Sequence, residues 1–134
     1  MKKKRIIAYV IAVVVIIIAG VGIAIMSVVG NYRKQVDAIH ISDVNLTDVP
    51  DGVYEGSCKT LLVSADVKVT VQDHQIKEIE LVRHDHGQGS SAEVIPDRIL
   101  EAQSLEVDIV SGATASSKVI LKAVENALTL GTGH

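Results

Sequence analysis

The sequence predicts an α+β protein: one N-terminal transmembrane helix, then a small antiparallel sheet with helices packed on one face. Three observations carry this expectation. Residues 6–29 are uncharged and almost wholly apolar. Residues 67–71 alternate valine with Lys68 and Thr70, the period-two pattern of a half-buried strand. Ile120, Val124, Ala127 and Leu128 then recur at helical spacing. The expected divisions are a basic cytoplasmic tail at residues 1–5, an anchor at 6–29, a spacer at 30–49 and a folded domain at 50–131.

The anchor follows Lys2, Lys3, Lys4 and Arg5, and only Tyr9 and Ser27 carry polar side-chain atoms within it. At ~1.5 Å per residue a helix of this length reaches about 36 Å, enough to cross a hydrocarbon core of ~30 Å with some tilt. A cleaved signal peptide is the competing reading, but its apolar core is roughly 7–15 residues long and ends at a small-residue site. Here the run is longer and no A-x-A-like site follows before Tyr32, so an uncleaved anchor is expected. No cysteine follows a lipobox-like stretch. The basic cluster is expected to stay in the cytoplasm, which places residues 31 onward outside.

Beyond the anchor lie nine Lys and Arg against sixteen Asp and Glu, a net charge of −7. Without a basic stripe, so acidic a domain is not expected to bind nucleic acid. The single cysteine, Cys58, excludes an internal disulfide and a cysteine-based zinc site. It falls in a strand-like segment and reads as a small buried hydrophobe.

Residues 31–49 show no sustained periodicity and read as a spacer, helical at most in its first part. Pro50-Asp51-Gly52 is a turn signal. Residues 53–63 predict a first strand, with Gly56 as a candidate bulge. Residues 67–72 give the second strand, "QDHQ" a tight turn, and "IKEIELVR" the antiparallel partner, completing a meander. The polar, glycine-rich "HDHGQGSS" reads as a loop. A helix is expected from near Ile95 to Gln103, with Pro96 in its first turn. A short strand at 107–110 and a helix at about 113–130, stopped by Gly131, complete a domain of about 80 residues. A core this small is marginal alone, so a bound ligand contributes materially to stability.

The densest chemistry lies in "DIVSGATASSK", residues 108–118, where Ser111, Thr114, Ser116 and Ser117 crowd the start of the last helix. The first N–H groups of a helix have no internal partners and sit at the positive end of its dipole, which favours an anion. Two readings follow: plain capping, with Ser111 or Thr114 as N-cap, or a phosphate site. The Walker pattern is absent, so nucleoside triphosphate hydrolysis has no support.

Asp108-x-x-Ser111-Gly112-Ala113-Thr114-x-Ser116 resembles the flavinylation motif of the FMN-binding domain family. That family includes the flavin-carrying subunits of sodium-pumping NADH:quinone oxidoreductase and Rnf-type complexes. The resemblance covers residues 51–130, from "DGVYEGS" to "AQSLEVDIVSGATASSKVILKAVENAL". It implies that Thr114 carries FMN through a phosphodiester, installed by an FAD-dependent, magnesium-requiring flavin transferase. Asp108 and the Ser111-Gly112-Ala113 turn would serve the transferase's recognition of the acceptor. Ser116 and Ser117 are candidates to hold the phosphate. The chain departs from a typical flavin site in having only Tyr32 and Tyr54 as aromatics beyond the anchor. The isoalloxazine ring is therefore expected among aliphatic and loop groups, partly exposed.

His84-Asp85-His86 leaves three readings open: solvent-exposed loop histidines, a flavin-proximal loop in which Gly87 and Gly89 admit the ring near His84, or part of a metal site. Two histidines alone are too few for the last. Glu93 is either a solvated helix residue or a member of the same pocket. The function expected is a membrane-anchored extracytoplasmic electron carrier, with redox partner proteins or a quinone reductase as partners. It is not expected to be an enzyme in its own right. The alternative is a module that holds FMN or another phosphate ligand non-covalently, without redox turnover. A hydrolase using Thr114 or Ser111 lacks a nearby base.

Overall fold

The computed structural model describes residues 1–85 and 89–132. The apolar run folds as one continuous helix, α1 (Lys2–Asp37), longer than the expected span because Arg33, Lys34 and Gln35 continue it. The chain divides into two units, Met1–Lys34 and Gln35–His134. In the first, α1 is long and apolar enough to cross a membrane by length and composition.

The second unit is built on a three-stranded antiparallel meander, β1 (Gly52–Lys59), β2 (Ser64–Gln72) and β3 (Gln75–Asp85). Alternation in β2 buries Ala65, Val67, Val69 and Val71 on one face, with Ile76 and Ile79 of β3 beside them. Fully burying side chains of this size stabilises by about 1.5–3 kcal/mol each. The β2–β3 hairpin turns on Asp73 and His74, both left-handed at φ 55° and 59°. That is the two-residue turn whose twist matches its strands, and Asp is among the residues that tolerate it. Helix α2 (Ile95–Ala102) packs Ile95 and Ile99 inward. Helix α3 (Thr114–Gly131) buries the predicted Ile120, Val124, Ala127 and Leu128 against β1 and β2. The α+β layering is as the sequence predicts.

Several local expectations are corrected. The first strand stops at Lys59, and Leu61 and Leu62 lie in the following turn. Gly56 forms no bulge, because β1 pairs with β2 in unbroken register and Gly56 opposes Val67. It serves instead where α3 crosses β1: a Cβ there would lie 2.5 Å from the Ala127 backbone nitrogen. Residues 107–110 form no strand. Their backbone groups find side chains, Arg98 and Ser117, rather than a neighbouring strand. Gly131 is the last residue of α3 rather than its stop, and it packs against Val49 and Tyr54.

Much of the segment read as a spacer is part of the second unit. Gln35 Oε1 accepts the Leu61 N–H at 2.8 Å, and Val49 is fully buried. Asp43 is the principal tie: its carboxylate accepts the Ser104 hydroxyl at 2.7 Å and the Leu105 N–H at 3.0 Å. Gln103, left-handed at the end of α2, closes the outer edge of β3. Its amide accepts the Ile76 N–H at 2.7 Å and donates to the Ile76 carbonyl at 2.9 Å, as another strand would.

Candidate functional site

Approaching α3, the chain runs without helix or strand through residues 106–110 and then turns at Ser111-Gly112. The Ala113 N–H donates to the Val110 carbonyl at 3.0 Å, closing a four-residue turn. Gly112, its third residue, has φ +82°. A turn of this kind needs positive φ at that position, and glycine meets it at no steric cost. Space around Gly112 is open, with no atom within 4 Å of where a Cβ would stand. Arg98 Nη1 donates to the Asp108 carbonyl at 2.7 Å, fixing the approach to the turn.

Neither capping candidate from the sequence is the N-cap of α3. Ala113 holds that position, and no side chain caps it. Thr114 is the first helical residue, and both it and Ser111 are exposed. Ser116 and Ser117 are buried, Ser117 completely. Ser117 Oγ donates to the Ala113 carbonyl at 2.8 Å and accepts the Val110 N–H at 3.0 Å. A hydroxyl has one proton to donate, so Ser117 has none left over for a phosphate while this geometry holds.

The four hydroxyls therefore divide into two exposed and two buried. Thr114 is the exposed one on the helix itself, next to first-turn N–H groups that no side chain satisfies. An open groove of about 680 Å³ runs beside the turn's approach, lined by Arg98, Glu101, Glu106, Asp108 and Ile109. A second shallow depression of about 650 Å³ lies at the β1 edge, bordered by Glu55, Asp66, Lys68 and Leu130, and no residue of 108–117 lines it. The groove at Asp108 adjoins the motif.

His84 is not in an exposed loop. It lies next to the end of β3 opposite Ala65, on the core face, with its side chain 2% exposed. Its Nδ1 lies 3.2 Å from Glu93 Oε1, so the two side chains are in contact. Glu93 belongs to the short 3-10 helix Ser90–Val94, not to the turn. Asp85 turns away to Arg83 and Ser64, whose hydrogen bonds hold its carboxyl below the usual carboxylate range. His86 and Gly87 lie outside the described residues. Among the described residues no group of three or more His, Cys, Asp and Glu could hold a metal. Cys58 is half-buried rather than buried, and burial pushes its thiol up, against a smaller opposing pull from Lys122.

Sequence reasoning passed over Arg98, Asp43 and Gln103. Arg98 acts on a backbone carbonyl ten residues away, for which no motif exists. Asp43 sits in a stretch without periodicity.

With that geometry in place, residues 64–129 match the model of the FMN-binding domain. Those residues are similar to the FMN-binding domain family. The match runs from the start of β2 nearly to the end of α3 and includes the 108–117 segment. Over 84 residues the chain is 34% identical to an uncharacterised protein of Treponema pallidum, covering 60% of this chain and 23% of that protein. Over 76 residues it is 37% identical to the NADH:acrylate oxidoreductase of Vibrio harveyi, covering 53% of this chain and 8% of the relative. The chain thus spans less than a quarter of either relative. Flavin binding is the property that this match supports.

Proposed function

We propose that the chain is a membrane-anchored extracytoplasmic electron carrier with FMN linked to Thr114 through a phosphodiester. The observation that carries this reading is an exposed threonine hydroxyl at an uncapped helix N-terminus, presented by a turn whose positive φ Gly112 supplies. The residues fit the group's phosphate end. A phosphodiester on Thr114 would place one negative charge at the positive end of α3, favoured by about 0.3–1 kcal/mol. Bound FMN would supply one- or two-electron chemistry, while the chain supplies attachment, position and local charge. Asp108, Ser111 and Gly112 form the surface a flavin transferase would read, with Ala113 buried behind the turn's end and Arg98 fixing the Asp108 backbone. Ser116 is buried in the first turn of α3. His84 serves the other side of the domain's chemistry as a flavin-proximal group held by Glu93.

Lys2, Lys3, Lys4 and Arg5 before the apolar stretch favour a cytoplasmic N-terminus and a domain outside. A tether suits that location, because a covalently held cofactor is not lost by diffusion. The similarity of this chain to part of an NADH:acrylate oxidoreductase supports a redox role, with partner proteins or a quinone reductase exchanging electrons with the flavin. The second reading, non-covalent holding of FMN or another phosphate ligand, is supported by the same uncapped helix end.

Intact mass of the full chain, co-produced with a flavin transferase, separates the two. The carrier gains one FMN, and Thr114→Ala abolishes the gain. An unmodified wild-type chain would refute covalent attachment. If FMN is attached but neither dithionite nor a quinone analogue alters its absorbance, the electron-carrier role fails instead.

A further inference from the structure

We propose that Ser117, through its buried hydroxyl, is a positioning residue for the Thr114 acceptor. The inference rests on Thr114 being the site of attachment, and it assigns the neighbouring serine a role other than holding phosphate.

The turn that presents Thr114 lies at the end of a segment that joins no sheet. One internal bond, Ala113 N–H to Val110 carbonyl, would leave such a turn free to open. Ser117 fastens both of its ends. Its Oγ accepts the Val110 N–H at 3.0 Å and donates to the Ala113 carbonyl at 2.8 Å. Its own N–H reaches the same Ala113 carbonyl at 2.9 Å. The side chain is completely buried, so water cannot take its place. Removing the hydroxyl leaves a backbone donor without its partner, a loss that favours opening of the turn.

Thr114 is bonded directly to Ala113, so its hydroxyl moves with the clamped backbone. In the transfer, a bond forms between Thr114 Oγ1 and the FMN-side phosphorus of FAD as the pyrophosphate P–O bond breaks. AMP leaves with that bond's electron pair, and the threonine proton passes to solvent or to a base of the transferase. An in-line displacement of this kind depends on where the attacking oxygen is held, and a misplacement of about 1 Å costs on the order of a hundredfold in rate.

The test compares Ser117→Thr with Ser117→Val in the full chain, using initial rates of flavinylation by a purified transferase with FAD and magnesium. Threonine and valine add the same bulk to the buried site, but only threonine keeps the hydroxyl. Rates are normalised to the folded fraction measured by circular dichroism. The Ser117→Thr chain is expected to keep within a few-fold of its wild-type kcat, and Ser117→Val to lose at least tenfold in kcat with KM changed less. Equal rates for the two variants, or a loss in KM alone, would overturn the proposal. Hydrogen exchange of the unmutated chain reads the clamp directly. Strong protection of the Val110 amide is expected, and exchange at the rate of an unstructured peptide would overturn it. If Thr114 is not the acceptor, the wild-type chain itself gains no FMN, an outcome distinct from all of these.

Discussion

Gly56 offers the sharpest test of how α3 is seated on the sheet. Its φ lies outside the positive range that favours glycine, so backbone strain plays no part. The constraint is space. A Cβ at Gly56 would lie 2.5 Å from the Ala127 nitrogen and 2.8 Å from the Ala127 Cβ, and nearer still to the Ala123 carbonyl oxygen. Ordinary contact begins at 3.4 Å, so α3 must retreat by roughly 1 Å to admit a methyl group. Two of the three neighbours are backbone atoms, which cannot rotate away. Overpacking of a core costs about 1–3 kcal/mol, against a gain of about 0.4–1 kcal/mol from the stiffer unfolded chain. A net loss of about 1–2 kcal/mol lowers the Tm of a domain this size by roughly 4–16 °C. Thermal unfolding of the full chain in detergent, followed by circular dichroism, measures it. Ser57→Ala, on the exposed face of the same strand, is the control and should stay within about 0.5 kcal/mol of wild type. A Gly56→Ala chain that melts at or above the wild-type temperature would refute the close-packing argument.

Two further outcomes follow from residues that bind the domain's edges. At Asp43, desolvation works against the charge, but hydrogen bonds from Leu105, Ser104 and Val44 outweigh it and hold the carboxyl below its usual value. A depressed folded-state pKa gives stability that is present above the ordinary Asp value and lost as pH falls through the folded one. Asp43→Asn should therefore lower the urea midpoint at neutral pH, with the gap narrowing in acid; a gap independent of pH would rule this out. Gln103→Leu leaves the Ile76 N–H without its partner, at a cost of about 1–3 kcal/mol. Faster hydrogen exchange at Ile76 is the local readout, and unchanged protection there would contradict the edge-closing role.

The periodic parts of this fold were legible because each element alone decides its buried face. Val67, Val69 and Val71 had to share one side of a strand, and Ile120, Val124, Ala127 and Leu128 one side of a helix. What escaped the sequence depends on pairs of elements. Gly56 carries the same side chain in a bulge as under a helix, and only the path of α3 distinguishes them. Asp43 looks like any polar spacer residue until Ser104 and Leu105 are brought against it from sixty residues away. At the candidate site, the motif located the turn and Thr114, but composition could not tell a buried serine from an exposed one.

Packing makes that distinction, and it bears on the proposed chemistry. Ser117 belongs to the stripe that continues through Ile120 and Val124 into the core, and it is spent on the backbone. Thr114 stands at the head of the flank that continues through Lys118, Lys122 and Glu125, none of which is buried. A group modified by a separate enzyme must reach into that enzyme's active site, so a buried hydroxyl is a poor acceptor whatever its intrinsic reactivity. Ser111 is equally exposed but lies in the turn before the helix begins. A phosphodiester there would stand farther from the dipole's positive end, whose influence fades within the first turn. Thr114 alone combines access with a place in that first turn. The same seating of α3 that buries Ser117 as a clamp thus leaves Thr114 facing outward, so the fold favours the residue that the motif singles out.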